Sequence, residues 1–254
     1  MDLGLKDQVV MVTGSSSGIG RAAAVAFAAE GARVAVTYHE NRPGAEATAE
    51  QARAAGGTAL VVHHDLADLD SIRSSVEAIQ KEWGALNVLV NNAVLMSGAG
   101  PSGKPFEELP LERWQDTLRG NLEGTVLTIN CALPLMRPAG WGRVVSVSSD
   151  AVDGWPGLGP YATVKAGLDG LSRTMAKELG PAGILSNVVM PGFVLTEHNR
   201  QRVPEHYQEQ VRQMLPTRSL PTPEDIAAVI LFLGSRANRQ ITGEVIRVTG
   251  GRHS

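Results

Sequence analysis

A tyrosine and a lysine, Tyr161 and Lys165, stand four residues apart in a segment with the pattern of a helix. This spacing places both side chains on one helix face, one turn apart. The lysine ammonium favours phenolate and so lowers the pKa of the tyrosine, which is about 10 in a free side chain. The pair predicts a phenol that exchanges a proton near neutral pH, as general acid–base catalysis requires. Surface pairs commonly have the same spacing, so the prediction depends on the residues around it.

A glycine-rich segment near the start of the chain predicts a phosphate-binding turn. It follows the apolar run Val9–Val12 and precedes an alanine-rich segment. Its glycines allow a tight turn and a close approach of the backbone to a pyrophosphate, which then faces the free N–H groups of a helix N-terminus. A plain turn between a strand and a helix is the alternative. The candidate contacts with a dinucleotide are Gly14, Ser16, Ser17, Gly18, Ile19 and Gly20.

The elements that must position these residues are short apolar runs, which alternate with helical patterns. The apolar runs are Val9–Val12, Val34–Val36, Ala59–Val62, Leu86–Val90, Val144–Val147, Ile184–Val189 and Glu244–Val248. The helical segments are Gly18–Glu30, Gly44–Ala55, Asp68–Trp83, Leu111–Met136, Tyr161–Leu179 and Pro223–Leu233. The alternation predicts one α/β domain over residues 1–254, a doubly wound Rossmann sheet of about seven parallel strands with helices on both faces. Ligands of such sheets bind beyond the carboxyl ends of the strands.

Composition argues against several other classes of protein. The formal net charge is −3, and no block of like charges indicates a nucleic-acid or membrane partner. The first residues lack the pattern of a signal peptide, and no apolar run approaches the roughly 18 residues that a spanning helix needs. The single cysteine, Cys131, fits a reducing compartment, so we expect a cytoplasmic protein. The six histidines lack metal-ligand spacing, and we expect no metal.

The residues after the second strand bear on which dinucleotide binds. Sites that prefer NAD place an acidic residue there to bind the ribose 2′-hydroxyl. This chain has Tyr38 and His39 at that place, with Arg42 close by. Because no carboxylate at Tyr38 would repel a 2′-phosphate, the sequence favours NADPH. NADH is the alternative, since Glu40 lies nearby.

Further motifs appear in a fixed order along the chain. Asn91-Asn92-Ala93 follows the fourth strand, Asn121 lies in the long helix, and Ser148 and Ser149 end the fifth strand before Tyr161. Together with the loop spacing Thr-Gly-x3-Gly-x-Gly, they resemble the short-chain dehydrogenase/reductase family, and in particular its members similar to 3-oxoacyl-[acyl-carrier-protein] reductases. The likeness covers nearly the whole chain. It departs from the family at Val94, where the Asn-Asn-Ala-Gly motif has glycine.

The resemblance implies hydride exchange between NADP(H) and a carbonyl or alcohol. Tyr161 would protonate the substrate oxygen, Lys165 would hold the nicotinamide ribose, and Asn121 would hold a water that links Lys165 to solvent. A seryl hydroxyl would stabilise the substrate oxygen. Counting back from Tyr161 indicates Ser148, whereas aligning the fifth strand without gaps indicates Ser149. The further cofactor contacts that the resemblance implies are Asp65, Leu66, Asn92, Ala93, Pro191, Gly192, Val194 and Thr196.

The substrate side is less well defined by the sequence. Residues 193–215 form either a mobile substrate lid or a solvated loop and helix. Val94, Leu95, Met96 and Trp155 are candidate apolar walls, which favour a moderately apolar carbonyl compound, and Ser97–Lys104 is expected to be a flexible loop. The family often forms tetramers, so we expect a homotetramer or homodimer.

Three functions remain open at this point. The first is carbonyl reduction, of a ketone or a 3-oxoacyl group. The second is an NAD(P)-dependent sugar, alcohol or steroid dehydrogenase, which shares every motif above. The third, from a different class, is an NADPH-binding scaffold or sensor without turnover. The complete Asn, Ser, Tyr and Lys set argues against the scaffold, because pure binding has no need of a tuned phenol.

Overall fold

A parallel sheet runs through the molecule, and many of the candidate residues follow the carboxyl ends of its strands. The structure, a computed structural model, describes residues 2–95 and 102–252. Its strands are β1 (Val9–Val12), β2 (Arg33–Tyr38), β3 (Thr58–His63), β4 (Val88–Asn91), β5 (Gly142–Val147), β6 (Ile184–Pro191) and β7 (Val245–Val248). They pair in the order β3-β2-β1-β4-β5-β6-β7, all parallel. The predicted doubly wound Rossmann fold is confirmed.

Helices cover both faces of this sheet. They are α1 (Gly18–Ala29), α2 (Arg42–Ala54), α3 (Leu69–Trp83), α4 (Leu111–Thr117), α5 (Gly124–Met136), α6 (Gly159–Leu179), α7 (Glu197–Arg202), α8 (Glu205–Met214) and α9 (Pro223–Leu233). In β1, Val10 and Val12 join a core that includes residues of α1 and α9, while Val9 and Met11 join a second core. Burial on both faces explains why the strands are continuously apolar in the sequence.

The long helix predicted over Leu111–Met136 is interrupted. A π-helical segment, Leu118–Glu123, separates α4 from α5. A side chain at Gly124 would place its Cβ 3.0 Å from the Cβ of Leu66 and closer still to the Leu66 carbonyl oxygen. The helix therefore passes tightly against the loop after β3. The wide turn carries Asn121, in line with the frequent occurrence of π-helical turns at functional sites.

The segment predicted as a lid has a small apolar cluster of its own. Its helices α7 and α8 follow β6, and Val211, Leu215 and Leu220 pack with Phe193 and Leu195. This cluster is separate from the two cores on the sheet. The predicted loop Ser97–Lys104 lies outside the described residues up to residue 101, and so does Met96.

Candidate active site

The carboxyl ends of β1 and β4 meet where the strand order reverses. The Thr13 N–H donates to the Val90 carbonyl at 2.9 Å. The Thr13 hydroxyl in turn accepts from the N–H groups of Asn92 and Ala93 at 2.9 and 3.0 Å. In open α/β sheets the crevice at this reversal is where ligands bind. A hydroxyl at Thr13 therefore fixes the two loops that frame the crevice.

The glycine loop has the geometry of a cradle for phosphates. Gly14 has a φ of +64°, and a Cβ there would lie 2.8 Å from the Cα of Ala93. A Cβ at Gly20 would lie 2.6 Å from the Asn92 amide nitrogen, which itself donates to the carbonyls of Thr13 and Gly14 at 2.9 and 3.1 Å. Gly20 is thus a packing residue at the start of α1. The closely packed loop leaves the N-terminus of α1 open to the cleft, which suits a pyrophosphate.

The residues that line the cleft after β2 are not all those that the sequence predicted. His39, Glu40 and Asn41 line the cleft, whereas Tyr38 and Arg42 do not. The Tyr38 ring packs edge-on against His63 with 5.4 Å between ring centroids, and the exposed Arg42 lies 3.4 Å from Glu46 one helical turn away. Alternation along the strand directs Tyr38 away and brings the following residues to the cleft.

The residues after β3 also contribute to the cleft. Asp65 does not line the cleft, and its Oδ2 lies 3.4 Å from Nε2 of His39. Leu66 lines the cleft, as the sequence predicted. His64, which the sequence analysis did not single out, lines the cleft and contacts Ser75 and Thr128 through its two ring nitrogens at 2.9 and 3.3 Å. Burial lowers the pKa of His64 to about 4, so its ring is neutral at neutral pH. Its position directly after β3 is the sequence signal that could have identified His64.

The two serines that directly follow β5 face different partners. Ser148 is buried, and its hydroxyl donates to the backbone oxygen of Lys165 at 3.1 Å. The Ser149 hydroxyl lies near the Tyr161 side chain, where it acts to lower the pKa of the phenol, and it caps the following turn by accepting from the Ala151 N–H at 3.2 Å. Lys165 is buried, and its Nζ lies 5.6 Å from the Tyr161 ring centroid while donating to the Val147 carbonyl at 2.7 Å. Ser149, Tyr161 and Lys165 all line the cleft.

The electrostatics of this trio differ from the sequence expectation. Burial raises the pKa of Tyr161, the hydrogen bond with Ser149 acts against that rise, and the carboxylate of Asp150 adds to it. Burial also lowers the pKa of Lys165 to about 8, against the charge of Asp169. The expected lowering of the Tyr161 pKa by Lys165 is not found, because the Lys165 ammonium is directed to the Val147 carbonyl.

Asn121 is buried and does not line the cleft. Its carbonyl oxygen accepts from the Leu95 N–H at 2.8 Å, and its amide nitrogen donates to the carbonyls of Leu95 and Thr117 at 3.2 and 3.0 Å. The side chain clamps the loop after β4 to the π-helical turn. Its water-holding role remains a prediction.

The substrate end of the cleft has more charge than the sequence indicated. Arg252 lies 3.6 Å from Asp150 and stacks over the Trp155 ring with 4.3 Å from its guanidinium carbon to the ring centroid. All three residues line the cleft, and so do the predicted walls Val94 and Leu95. Arg252 was missed because it belongs to no motif. Because β7 is parallel to β6, the residues after it return to the same edge of the sheet.

The cleft as a whole has a volume of about 960 Å³, enough for a dinucleotide together with a small substrate. The segment predicted as a lid contributes Phe193, His198, Asn199, Gln201 and Tyr207 to the cleft lining. The predicted site residues that line the cleft are Gly14, Ser16, Ser17, Gly18, Ile19, His39, Leu66, Asn92, Ala93, Ser148, Ser149, Tyr161, Lys165, Pro191, Gly192, Val194 and Thr196. Within residues 2–95 and 102–252, no group of His, Cys, Asp or Glu is placed to hold a metal ion. No helix in the described part of the chain is long and apolar enough to cross a membrane.

The arrangement matches a known family over nearly the whole chain. A family model described as Enoyl-(Acyl carrier protein) reductase matches residues 14–253. A solved structure from Sinorhizobium meliloti, described as a putative short-chain alcohol dehydrogenase, has a TM-score of 0.90 at 30% identity and covers 99% of this chain and 98% of its own. The chain belongs to the short-chain dehydrogenase/reductase family. It is an NAD(P)-dependent oxidoreductase, and the glycine cradle and the buried lysine fit a nicotinamide cofactor.

Relatives within this family differ in substrate and cofactor. An L-rhamnose 1-dehydrogenase (NAD(P)(+)) of Azotobacter vinelandii is 39% identical over 253 residues, covering 97% of both chains. A 3-oxoacyl-[acyl-carrier-protein] reductase of Aquifex aeolicus is 36% identical over 252 residues, covering 99% of both. A solved structure described as an NADH-dependent reductase responsible for alginate metabolism has a TM-score of 0.87 at 26% identity, with 98% of both chains covered. The family thus accommodates both sugar and acyl substrates on this fold.

Proposed function

We propose that this protein interconverts a carbonyl and a secondary alcohol, with reduction by NADPH as the main direction and Tyr161 as the general acid. The observation that carries the proposal is the pairing of Ser149 with Tyr161 in the cleft, directly in front of the buried Lys165. A cofactor in the cradle supplies the hydride. The protein must then polarise the substrate oxygen and deliver one proton to it, and these two hydroxyl groups suit that task.

The roles follow from the contacts. Ser149 donates a hydrogen bond to the substrate oxygen and stabilises the negative charge that develops there. Tyr161 transfers its phenolic proton to the same oxygen. Lys165, which donates to the Val147 carbonyl, would hold the ribose of a bound cofactor, and its charge would stabilise the Tyr161 phenolate. Pro191 at the end of β6 and Gly192 directly after it line the cleft and would contact the cofactor.

The substrate class is tested by a screen with both cofactors. The charged and hydroxyl-binding side chains near Trp155 favour a polar, hydroxylated substrate alongside ketones and 3-oxoacyl thioesters, and the sugar dehydrogenase among the relatives supports the same alternative. The measurement is the absorbance of the reduced nicotinamide with ketones, acyl thioesters, aldoses and steroids. Tight NADPH binding with no turnover on any member would support a non-catalytic scaffold and overturn the proposal.

We propose a preference for NADP(H), with NAD(H) also accepted. His39 and Asn41 line the cleft where NAD-preferring sites place a carboxylate, while Glu40 limits the preference. His39→Asp is expected to lower kcat/KM for NADPH about tenfold, roughly 1.4 kcal/mol, with little loss for NADH. Arg42→Ala serves as the control, because Arg42 lies outside the cleft lining and faces Glu46. Equal losses for both cofactors in His39→Asp would contradict this role.

We propose that residues 193–215 act as a lid on the single domain of this chain. Their apolar cluster, which also includes Leu220, is separate from the two cores on the sheet. Glu197 of α7 lies 2.9 Å from Arg21 of α1, a partly exposed ion pair of small energy. Such a unit opens at low cost. Limited proteolysis within 193–215 is expected to slow severalfold when cofactor and substrate analogue are both present. Unchanged cleavage would identify the segment as a static loop.

We also propose that the chain works as a cytoplasmic homodimer or homotetramer. The lone cysteine fits a reducing compartment. The exposed side chains of Phe106 and Leu111, five residues apart, are candidates for a contact between subunits. Light scattering in solution gives the mass, and a monomer at all concentrations would rule out the assembly.

A further inference from the structure

Helix α6 carries four polar side chains at intervals of four residues. Tyr161, Lys165, Asp169 and Arg173 share one face, because residues four apart on a helix lie one above the other. The first two line the cleft, whereas Asp169 and Arg173 lie beyond it. The mechanism above uses Tyr161 and Lys165 only, so Asp169 is an ionisable group next to the catalytic pair with no assigned role.

Asp169 is partly buried among charged groups. Its Oδ1 is buried and has no hydrogen-bond partner among the described residues. The Ser148 hydroxyl donates its one hydrogen to the Lys165 backbone oxygen at 3.1 Å, and the Asp169 carboxylate nearby competes for it. Burial raises the pKa of Asp169, while the contact with Ser148 and the charges of Arg173 and Arg247 act against the rise.

The charged groups around Asp169 come from three elements. Lys165 and Arg173 lie on α6 itself, and Arg247 lies on β7. Arg247 forms a bidentate ion pair with Asp153 of the turn after β5, in which its two Nη atoms lie 2.7 and 2.9 Å from the two carboxylate oxygens. Asp153 opposes the ionised form of Asp169, whereas the cations favour it. An ionised carboxylate at 169, one helical turn away on α6, supports the buried ammonium of Lys165.

We propose that Asp169 is a positioning residue for catalysis, whose carboxylate acts from outside the cleft to keep the buried Lys165 protonated. The inference rests on the proposed function, since a protonated Lys165 matters because it stabilises the Tyr161 phenolate. A buried ammonium without a counter-charge is costly and gives up its proton instead. The Ser148 hydroxyl favours the ionised form of this carboxylate, which gives Ser148 a role distinct from that of Ser149.

The test is a direct titration of Lys165 in the unliganded protein. The chain has only five lysines, so selective lysine labelling and NMR resolve the side-chain signal of Lys165, assigned with Lys165→Met. Its pKa is about 8 with Asp169 in place. We expect Asp169→Asn to lower the Lys165 midpoint by about one pH unit, as loss of a nearby opposite charge does. Asp169→Glu should restore most of the shift.

Activity gives a second readout. In the oxidative direction, the rate of Asp169→Asn at neutral pH should fall about tenfold, and its rising limb should move to higher pH, because a neutral Lys165 leaves the phenol less acidic. Glu178→Gln, which removes an exposed carboxylate from the same helix, is the control for charge alone and should change neither readout. An unaltered Lys165 midpoint in Asp169→Asn would overturn the inference, even if the rate fell. An unshifted midpoint in a protein that still turns over leaves the proposed function standing.

Discussion

Tyr161→Phe is expected to lower kcat about a thousandfold at neutral pH, with cofactor affinity unchanged within about twofold. The change removes one oxygen and leaves the ring and its packing in place. General acid catalysis by a positioned side chain typically contributes about 10²–10⁴-fold. Burial raises the pKa of Tyr161 above its usual value, so the phenol carries its proton at neutral pH and is available as the donor in the reductive direction.

Two measurements separate the chemistry of Tyr161 from its packing. Quenching or enhancement of nicotinamide fluorescence gives the cofactor affinity, and thermal unfolding gives the stability. A variant that binds NADPH normally, unfolds at the parent temperature and has lost turnover supports the role as acid. A Tyr161→Phe protein with parent rates would show that the proton comes from another group, and the proposed mechanism would fail.

The second large effect is expected from Ser149→Ala, with Ser148→Ala as its matched neighbour. Removing one donor to a developing oxyanion typically costs about 10²–10³-fold in kcat. We expect a loss of this size for Ser149→Ala, because Ser149 lines the cleft and hydrogen-bonds Tyr161. Ser148→Ala should cost less than about tenfold, since the Ser148 hydroxyl is directed to the Lys165 backbone and to Asp169.

The comparison of Ser148→Ala with Ser149→Ala is informative because each variant loses one hydroxyl group and the two positions are adjacent. The pH profile distinguishes them further. Ser148→Ala should move the profile in the same direction as Asp169→Asn, whereas Ser149→Ala should lower the rate at every pH. If Ser148→Ala lost most turnover and Ser149→Ala did not, the assignment of the substrate-binding hydroxyl would be reversed.

Sequence patterns were sufficient for the strands and for the residues that follow them. Val9–Val12 and Pro223–Leu233 have the predicted bounds, the latter fixed by a capping box between Thr222 and Asp225. The apolar runs identify the strands because both sheet faces are covered. Once β1 is identified, the position of the glycine loop is also predicted, because the loop follows β1 directly at the carboxyl edge of the sheet.

Other features depend on contacts that no local pattern encodes. Tyr38 was expected in the cleft, but edge packing against His63 holds it elsewhere. The choice between Ser148 and Ser149 required the register of β5 against α6, because adjacent strand residues point in opposite directions. Arg252 and Asp169 belong to no motif, and their positions follow from the path of β7 and from the docking of α6 on β6.

The cleft has one region shaped by backbone packing and another lined by side chains. At the glycine loop, the shape of the cleft depends on backbone packing such as that of Gly20 against Asn92. Elsewhere the cleft is lined by side chains of residues 193–215 and of the segment after β7, including Phe193 and Arg252. Point changes in the second region leave the first intact. Substitutions in the second region can therefore change which substrate binds while the cofactor site stays the same.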